Sequence, residues 1–236
     1  MKNKPLKFLA LNTFSLILLI LIEMICGLIY TPSRLDKIKT VLKEDSSLFW
    51  HQRKNLDTQF FGGKLHTDEY GFRIGGSKSL KHDNKILILG ASPSFGWGVD
   101  DNKTYSVILE KLLIEKGRDY KVINGASIGY SSFQGLELLK SHLKRVDPKI
   151  VVISYVINDI DEFRFFQNNG LEDKDVKTED SIILGLRNTL AKSNLYKIIQ
   201  QSISKVKNNR SIYNAKPTLG QRVSLSDYKK NLFKIV

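Results

Sequence analysis

Lys85–Val99 reads KILILGASPSFGWGV. The apolar run Lys85–Leu89 opens it, and the next ten residues hold three glycines, two serines and a proline. A short apolar run bounded by turn residues predicts a buried strand that delivers the chain into a tight loop. Downstream, Tyr105, Ile108, Leu109, Leu112 and Leu113 recur at helical spacing, and Gly117 supplies a stop. Lys121–Ile123 predicts a second strand. Leu136, Leu139, Leu143 and Val146 mark a second helix, ended before Pro148. Ile150–Tyr155 (IVVISY), rich in β-branched residues, predicts a third strand. Strand, helix, strand, helix, strand at this spacing is the pattern of a parallel sheet in an α/β fold. The strands are apolar throughout, as expected when helices cover both faces.

Working outward, the N-terminal side holds Phe8–Tyr30, FLALNTFSLILLILIEMICGLIY. As a helix this run rises roughly 35 Å, enough to cross a hydrocarbon layer of about 30 Å. Its single charge, Glu23, lies near the far end. A cleaved signal peptide is the competing reading, but no small-x-small site follows and the run exceeds the length of a signal core. An uncleaved single-pass anchor over residues 1–30 is therefore expected. Lys2, Lys4 and Lys7 precede it and Arg34, Lys37, Lys39 and Lys43 follow it, so the positive-inside rule does not orient it. Residues 31–84 read as a connecting region with turn signals at Gly62-Gly63 and Gly75-Gly76, and the α/β domain occupies 85–236. Past a polar stretch over 162–180, helices are expected around Ile182–Leu190, after a cap at Ser193, and from Ser224 or Ser226 to the C-terminal end. Lys205–Arg222 reads as a basic, solvated loop.

In an open parallel sheet, ligands bind at the carboxyl ends of the strands. The loops there read Gly90-Ala91-Ser92-Pro93-Ser94-Phe95-Gly96-Trp97-Gly98-Val99, then Asn124-Gly125-Ala126-Ser127-Ile128-Gly129-Tyr130, then Val156-Ile157-Asn158-Asp159. A serine, a glycine and an asparagine thus converge on one edge. A hydroxyl can attack a carbonyl carbon while backbone N–H groups and a side-chain amide hold the oxyanion that forms. Each residue alone has an ordinary structural reading: Ser92 as a cap, Gly129 as a turn glycine, Asn158 and Asp159 as loop residues after a strand. Trp97 and Tyr130 read as core or rim aromatics, and His142 as a structural or surface residue.

The three loops in order resemble the first three blocks of the SGNH/GDSL hydrolases. Gly90, Ser92, Gly96 and Gly98 match the Gly-Asp-Ser block, Gly129 falls on the oxyanion-hole glycine, and Asn158-Asp159 ends the Gly-x-Asn-Asp block. Tyr70-Gly71-Phe72-Arg73 is similar to the segment that precedes the first block in membrane-anchored members. The resemblance covers residues 65–161 well and the later helices weakly. It implies a three-layer flavodoxin-like sheet, incomplete at the C-terminus, with Ser92 as nucleophile and Gly129 and Asn158 in the oxyanion hole. It also implies ester hydrolysis on an acylated cell-envelope glycan or lipid, with the body outside the cytoplasm.

Three positions depart from the pattern. Ala91 replaces the aspartate before the serine, and Val156 replaces the glycine two residues before the asparagine. The Asp-x-x-His block that supplies base and orienting acid is absent: the residues three before His51, His66, His82 and His142 are Leu48, Gly63, Ser79 and Leu139. A serine without a base is a poor nucleophile, so this chain is expected to be inactive as an esterase. The alternative is a non-catalytic, degenerate SGNH-like module that binds in cell-surface polysaccharide biosynthesis. The net charge of +13 raises nucleic acid or anionic membrane as partners, but no zinc-ligand spacing, RNP-like motif or P-loop accompanies it, so no nucleic acid is expected. The single cysteine, Cys26, excludes an internal disulfide and a Cys-based metal site. No cofactor is expected; membrane lipid is the expected partner of the anchor.

Overall fold

The computed structural model describes residues 4–75, 83–161, 164–166, 171–177, 180–211 and 220–235. Gly76 of the second turn signal, His82 and part of the Lys205–Arg222 stretch lie outside the described residues. Contacts divide the chain into two units, Met1–Ser33 with Ser181–Pro217, and Arg34–Asp180 with Thr218–Val236.

The first unit is helical. Helix α1 spans Lys4–Ile29, and its segment Lys7–Ile29 is long and apolar enough to cross a membrane. The hydroxyls of Thr13 and Ser15 and the amide of Asn12 donate back to carbonyls four residues earlier, so these side chains are satisfied within the helix.

The second unit begins with α2 (Arg34–Val41) and the hairpin β1 (Leu42–Asp45) and β2 (Phe49–Gln52). A second hairpin, β3 (Asp57–Phe60) and β4 (Gly63–Thr67), turns at Phe61-Gly62, where both residues have positive φ. The short β5 (Arg73–Ile74) follows. The stretch read as connecting therefore carries five strands, and Trp50, Phe49, Leu42 and Leu65 in it are among the most buried side chains.

The α/β pattern then appears where it was expected: β6 (Lys85–Gly90), α3 (Ser92–Phe95), α4 (Tyr105–Glu115), β7 (Lys121–Asn124), α5 (Ser132–Val146), β8 (Ile150–Ser154) and the one-turn α6 (Ile157–Ile160). Gly117, at φ 69°, closes α4, and Asp147, at φ 46°, ends α5 ahead of Pro148. The sheet runs β3-β4-β5-β7-β6-β8; β7, β6 and β8 are parallel and β3, β4 and β5 extend it antiparallel. Alternate residues of β6 face different cores. Leu87 and Leu89 pack with Leu136 and Leu139 of α5, whereas Ile86 and Ile88 pack with Leu109 and Leu113 of α4. Strand β8 departs from the expectation of full cover: it is the edge strand, its central residues only half-buried.

The remaining helices are α7 (Ser181–Leu190) and α8 (Asn194–Ser211) in the first unit, and α9 (Leu225–Ile235) in the second. The Ser193 hydroxyl accepts from Tyr196 N–H, and that of Ser224 from Asp227 N–H. Among its described residues, Lys205–Arg222 departs from the loop expected of it: α8 runs to Ser211, and Arg222 is buried.

Candidate active site

Strand β6 is central, with β7 and β8 on either side, and in open parallel sheets ligands bind beyond the carboxyl ends of the strands. Two backbone bonds draw the three loops together. Ala91 N–H donates to Ser154 C=O (3.3 Å), and Ser127 N–H to Gly90 C=O (3.0 Å). Ser92, Gly129 and Asn158 thereby lie at the same edge of the sheet.

Ser92 is the first residue of α3, and Ala91 is the N-cap, with no side-chain cap bond. Ser92 is half-exposed, and among the described residues neither its hydroxyl nor its N–H makes a hydrogen bond. The turn behind it is clamped from the lead-in segment. The buried Arg73 guanidinium donates to the Phe95 C=O (2.9 Å) and to the carbonyls of Gly96 and Val99, and pairs with Asp101 at 2.9 Å. Burial pulls the Arg73 guanidinium below its ordinary range, and Asp101 opposes this.

The second loop is held by three consecutive carbonyls. The Trp50 indole N–H donates to Ile128 C=O (2.8 Å), Arg222 to Gly129 C=O (2.7 Å) and Asn158 Nδ2 to Tyr130 C=O (2.9 Å). In a trans peptide the N–H points opposite the carbonyl. Holding Ile128 C=O on Trp50 therefore aims Gly129 N–H the other way, where it has no acceptor among the described residues. Gly129 sits at φ 74°, and a β-carbon there would overlap the Phe165 ring. An amide NH₂ has two donors, and only one of Asn158's is used among the described residues.

Beneath the loop lies a buried ionic cluster. Asp173 accepts from Arg164 (2.9 and 2.7 Å) and from Arg222 (3.2 and 3.0 Å), and from the Ser131 hydroxyl at 2.6 Å. Arg222 also stacks 5.1 Å over Trp50 and bonds Gln134 at 2.5 Å. Asp159 accepts from Ser132 N–H (2.8 Å) and its hydroxyl (2.5 Å), and its own backbone C=O takes Val223 N–H. Burial raises the Asp159 carboxyl above its ordinary value, and the Ser132 bonds oppose that. Nothing in the sequence flagged Trp50, Arg164, Asp173 or Arg222: Trp50 and Arg222 act across long separations, and the Arg164–Asp173 pair lies in a polar stretch with no periodic pattern.

No described histidine bonds Ser92. His51 is buried between Tyr130 OH (2.9 Å) and Tyr70 C=O (2.8 Å), and burial pushes its imidazole down to about 4. His66 lies between Asp57 and Asp101 at 2.9 and 2.6 Å. His142 packs on the rings of Phe72 and Tyr70. Ala91 is buried, and Val156 is exposed. Among the described residues there is no group of His, Cys, Asp and Glu suited to a metal ion.

No family model matches the chain. It is 34% identical over 83 residues to an arylesterase of Vibrio mimicus, covering 35% of this chain and 42% of that one. It is 35% identical over 74 residues to esterase TesA of Pseudomonas aeruginosa, covering 31% and 37%. The chain thus spans about two fifths of the length of these curated relatives. Among solved structures, that of TesA aligns at 34% identity over 32% of this chain and 42% of that chain, with a TM-score of 0.31. AlinE4, described as an SGNH-hydrolase family esterase, aligns at 28% identity over 34% and 44%, also with a TM-score of 0.31.

Proposed function

We propose that this chain, about a third of which is similar to curated esterases, is of the SGNH/GDSL hydrolase type and carries the acyl-binding half of an ester-hydrolase site built on Ser92. The carrying observation is the set of uncommitted polar groups at one sheet edge. The Ser92 hydroxyl is a nucleophile, and the N–H groups of Ser92 and Gly129 and the second N–H of Asn158 are donors. In the proposed step Ser92 Oγ attacks an ester carbonyl carbon, the carbonyl electrons move onto oxygen, and the three donors hold that oxyanion. Collapse expels the alkoxide, which must receive the proton that a base takes from Ser92, and leaves an acyl-serine that water hydrolyses to the free acid and Ser92. The substrate is an acylated glycan or lipid of the cell envelope, reached from an anchor formed by α1. The domain is read as the flavodoxin-like SGNH fold, supported by the β7-β6-β8 order of its parallel strands.

The step needs a base for the Ser92 proton, and no described histidine bonds Ser92. The 236-residue chain is therefore proposed to turn over simple esters negligibly, at the slow rate of an unassisted attack by the Ser92 hydroxyl. The same observation favours a second reading, a module that binds acylated glycan without cleaving it. Hydrolysis of p-nitrophenyl acetate by the chain and by Ser92→Ala tests both. Weak turnover, with Ser92→Ala removing what there is, supports the acyl-binding site. Robust Ser92-dependent turnover overturns the account of the base, and turnover unchanged by Ser92→Ala overturns the site.

A further inference from the structure

Glu23, the one charged side chain inside the apolar span, is not left bare. Its carboxylate accepts from the Ser193 hydroxyl (2.8 Å), from Asn194 N–H (2.5 Å) and from Leu195 N–H (3.2 Å). It thereby caps the N-terminus of α8, whose exposed N–H groups and dipole favour an anion. Lys197 lies 5.4 Å over the Tyr30 ring of the same unit. Six residues separate Glu23 from the end of α1 at Ile29, a rise of about 9 Å. The α7–α8 turn is therefore held about 9 Å inside the end of the apolar span, a depth at which interfacial helices bury their apolar faces.

Helix α7 has the surface such a depth requires. Ile182, Ile183, Leu186 and Leu190 are 71%, 52%, 63% and 50% exposed. At 3.6 residues per turn they fall within about 100° of its circumference, while Leu184 on the opposite side is buried. A surface helix in water presents a polar stripe outward; α7 presents an apolar one. In α8, Ile199 and Ile203, one turn apart, are also exposed. Lys192 in the turn and Lys197 supply cations of the kind that reach for the headgroup layer.

We propose that α7 and the start of α8 form a second membrane-contacting element, lying in the lipid interface beside α1 and docked to it through Glu23. The occupant of the apolar stripe is lipid, because α7 lies in the same unit as the apolar span and Glu23 holds the turn that follows it at the depth of that span. The proposal rests on α1 being a membrane span, so the test reads the two separately. The full chain with Cys26→Ser is labelled with an environment-sensitive NBD dye at Leu186→Cys, Leu19→Cys or Lys116→Cys. Each is reconstituted in phosphatidylcholine vesicles with and without doxyl-labelled lipid. The expected result is blue-shifted emission and doxyl quenching at positions 19 and 186, neither at 116, and loss of quenching at 186 alone on adding Glu23→Ala. Quenching at 19 with a water-like label at 186 overturns the proposal and leaves the span standing. A blue-shifted but unquenched label at 186 means a protein covers the stripe and overturns it equally. Loss of quenching at 19 refutes the span and the proposal together. Quenching at 186 that survives Glu23→Ala overturns the docking through Glu23.

Discussion

At the residue scale, the second loop is built to keep one N–H free. Gly129 combines a left-handed backbone with a β-position already filled by Phe165, so alanine there meets both strain and a clash. Gly129→Ala is expected to cost about 2–4 kcal/mol, read as a lower urea midpoint at unchanged slope. Asp173 is the only carboxylate in contact with both Arg164 and Arg222 among the described residues, and all three are buried. Asp173→Ala removes the carboxylate that pairs with both buried guanidinium groups, and the expected loss is about 3–5 kcal/mol by the same measurement. Because Arg222 holds Gly129 C=O, that variant is also expected to loosen the loop beside Ser92.

At the element scale, α5 shows how local rules and long-range contacts coincide. Ser131 and Gln134 form a reciprocal capping box, which the sequence carries within four residues. The same Ser131 hydroxyl donates to Asp173, and Gln134 Nε2 reaches back to Leu48 C=O, contacts invisible locally. Helix α1 was legible from its length and apolarity alone. Its retention in the membrane pellet after alkaline carbonate extraction is the expected outcome, and release into the soluble fraction would refute the anchor. The edge position of β8, by contrast, was not legible, because an apolar run reads alike at the centre and at the rim of a sheet.

At the scale of the whole molecule, stability is tied to pH through His51. Its ring is held neutral by burial, with a folded value of about 4 against an ordinary 6.5. The unfolded chain binds a proton here that the folded chain refuses. The resulting stability is complete above pH 6.5 and is lost as pH falls toward 4. Between about pH 7.5 and about pH 4.5 this one group is expected to remove about 2–3 kcal/mol. His51→Gln should flatten that part of the urea-midpoint profile, separating it from the opposite tendency of Asp159, whose raised value favours its protonated folded form. What the sequence by itself determined is what repeats over short separations: the apolar span, the three parallel strands with their two helices, and the order of Ser92, Gly129 and Asn158 after successive strands. Strand and helix periodicity carry that information because each depends on neighbours a few residues apart. Only the tertiary structure decided that residues 34–74 supply five strands and much of the core, and that Trp50 and Arg222 hold the carbonyls of Ile128 and Gly129. It also decided that Asp173 pairs with two arginines and that Glu23 caps α8. Those contacts join residues 78, 93, 49 and about 170 positions apart. Buried polar groups must find partners once the chain is compact, but a linear pattern says nothing about which distant group will be there to meet them.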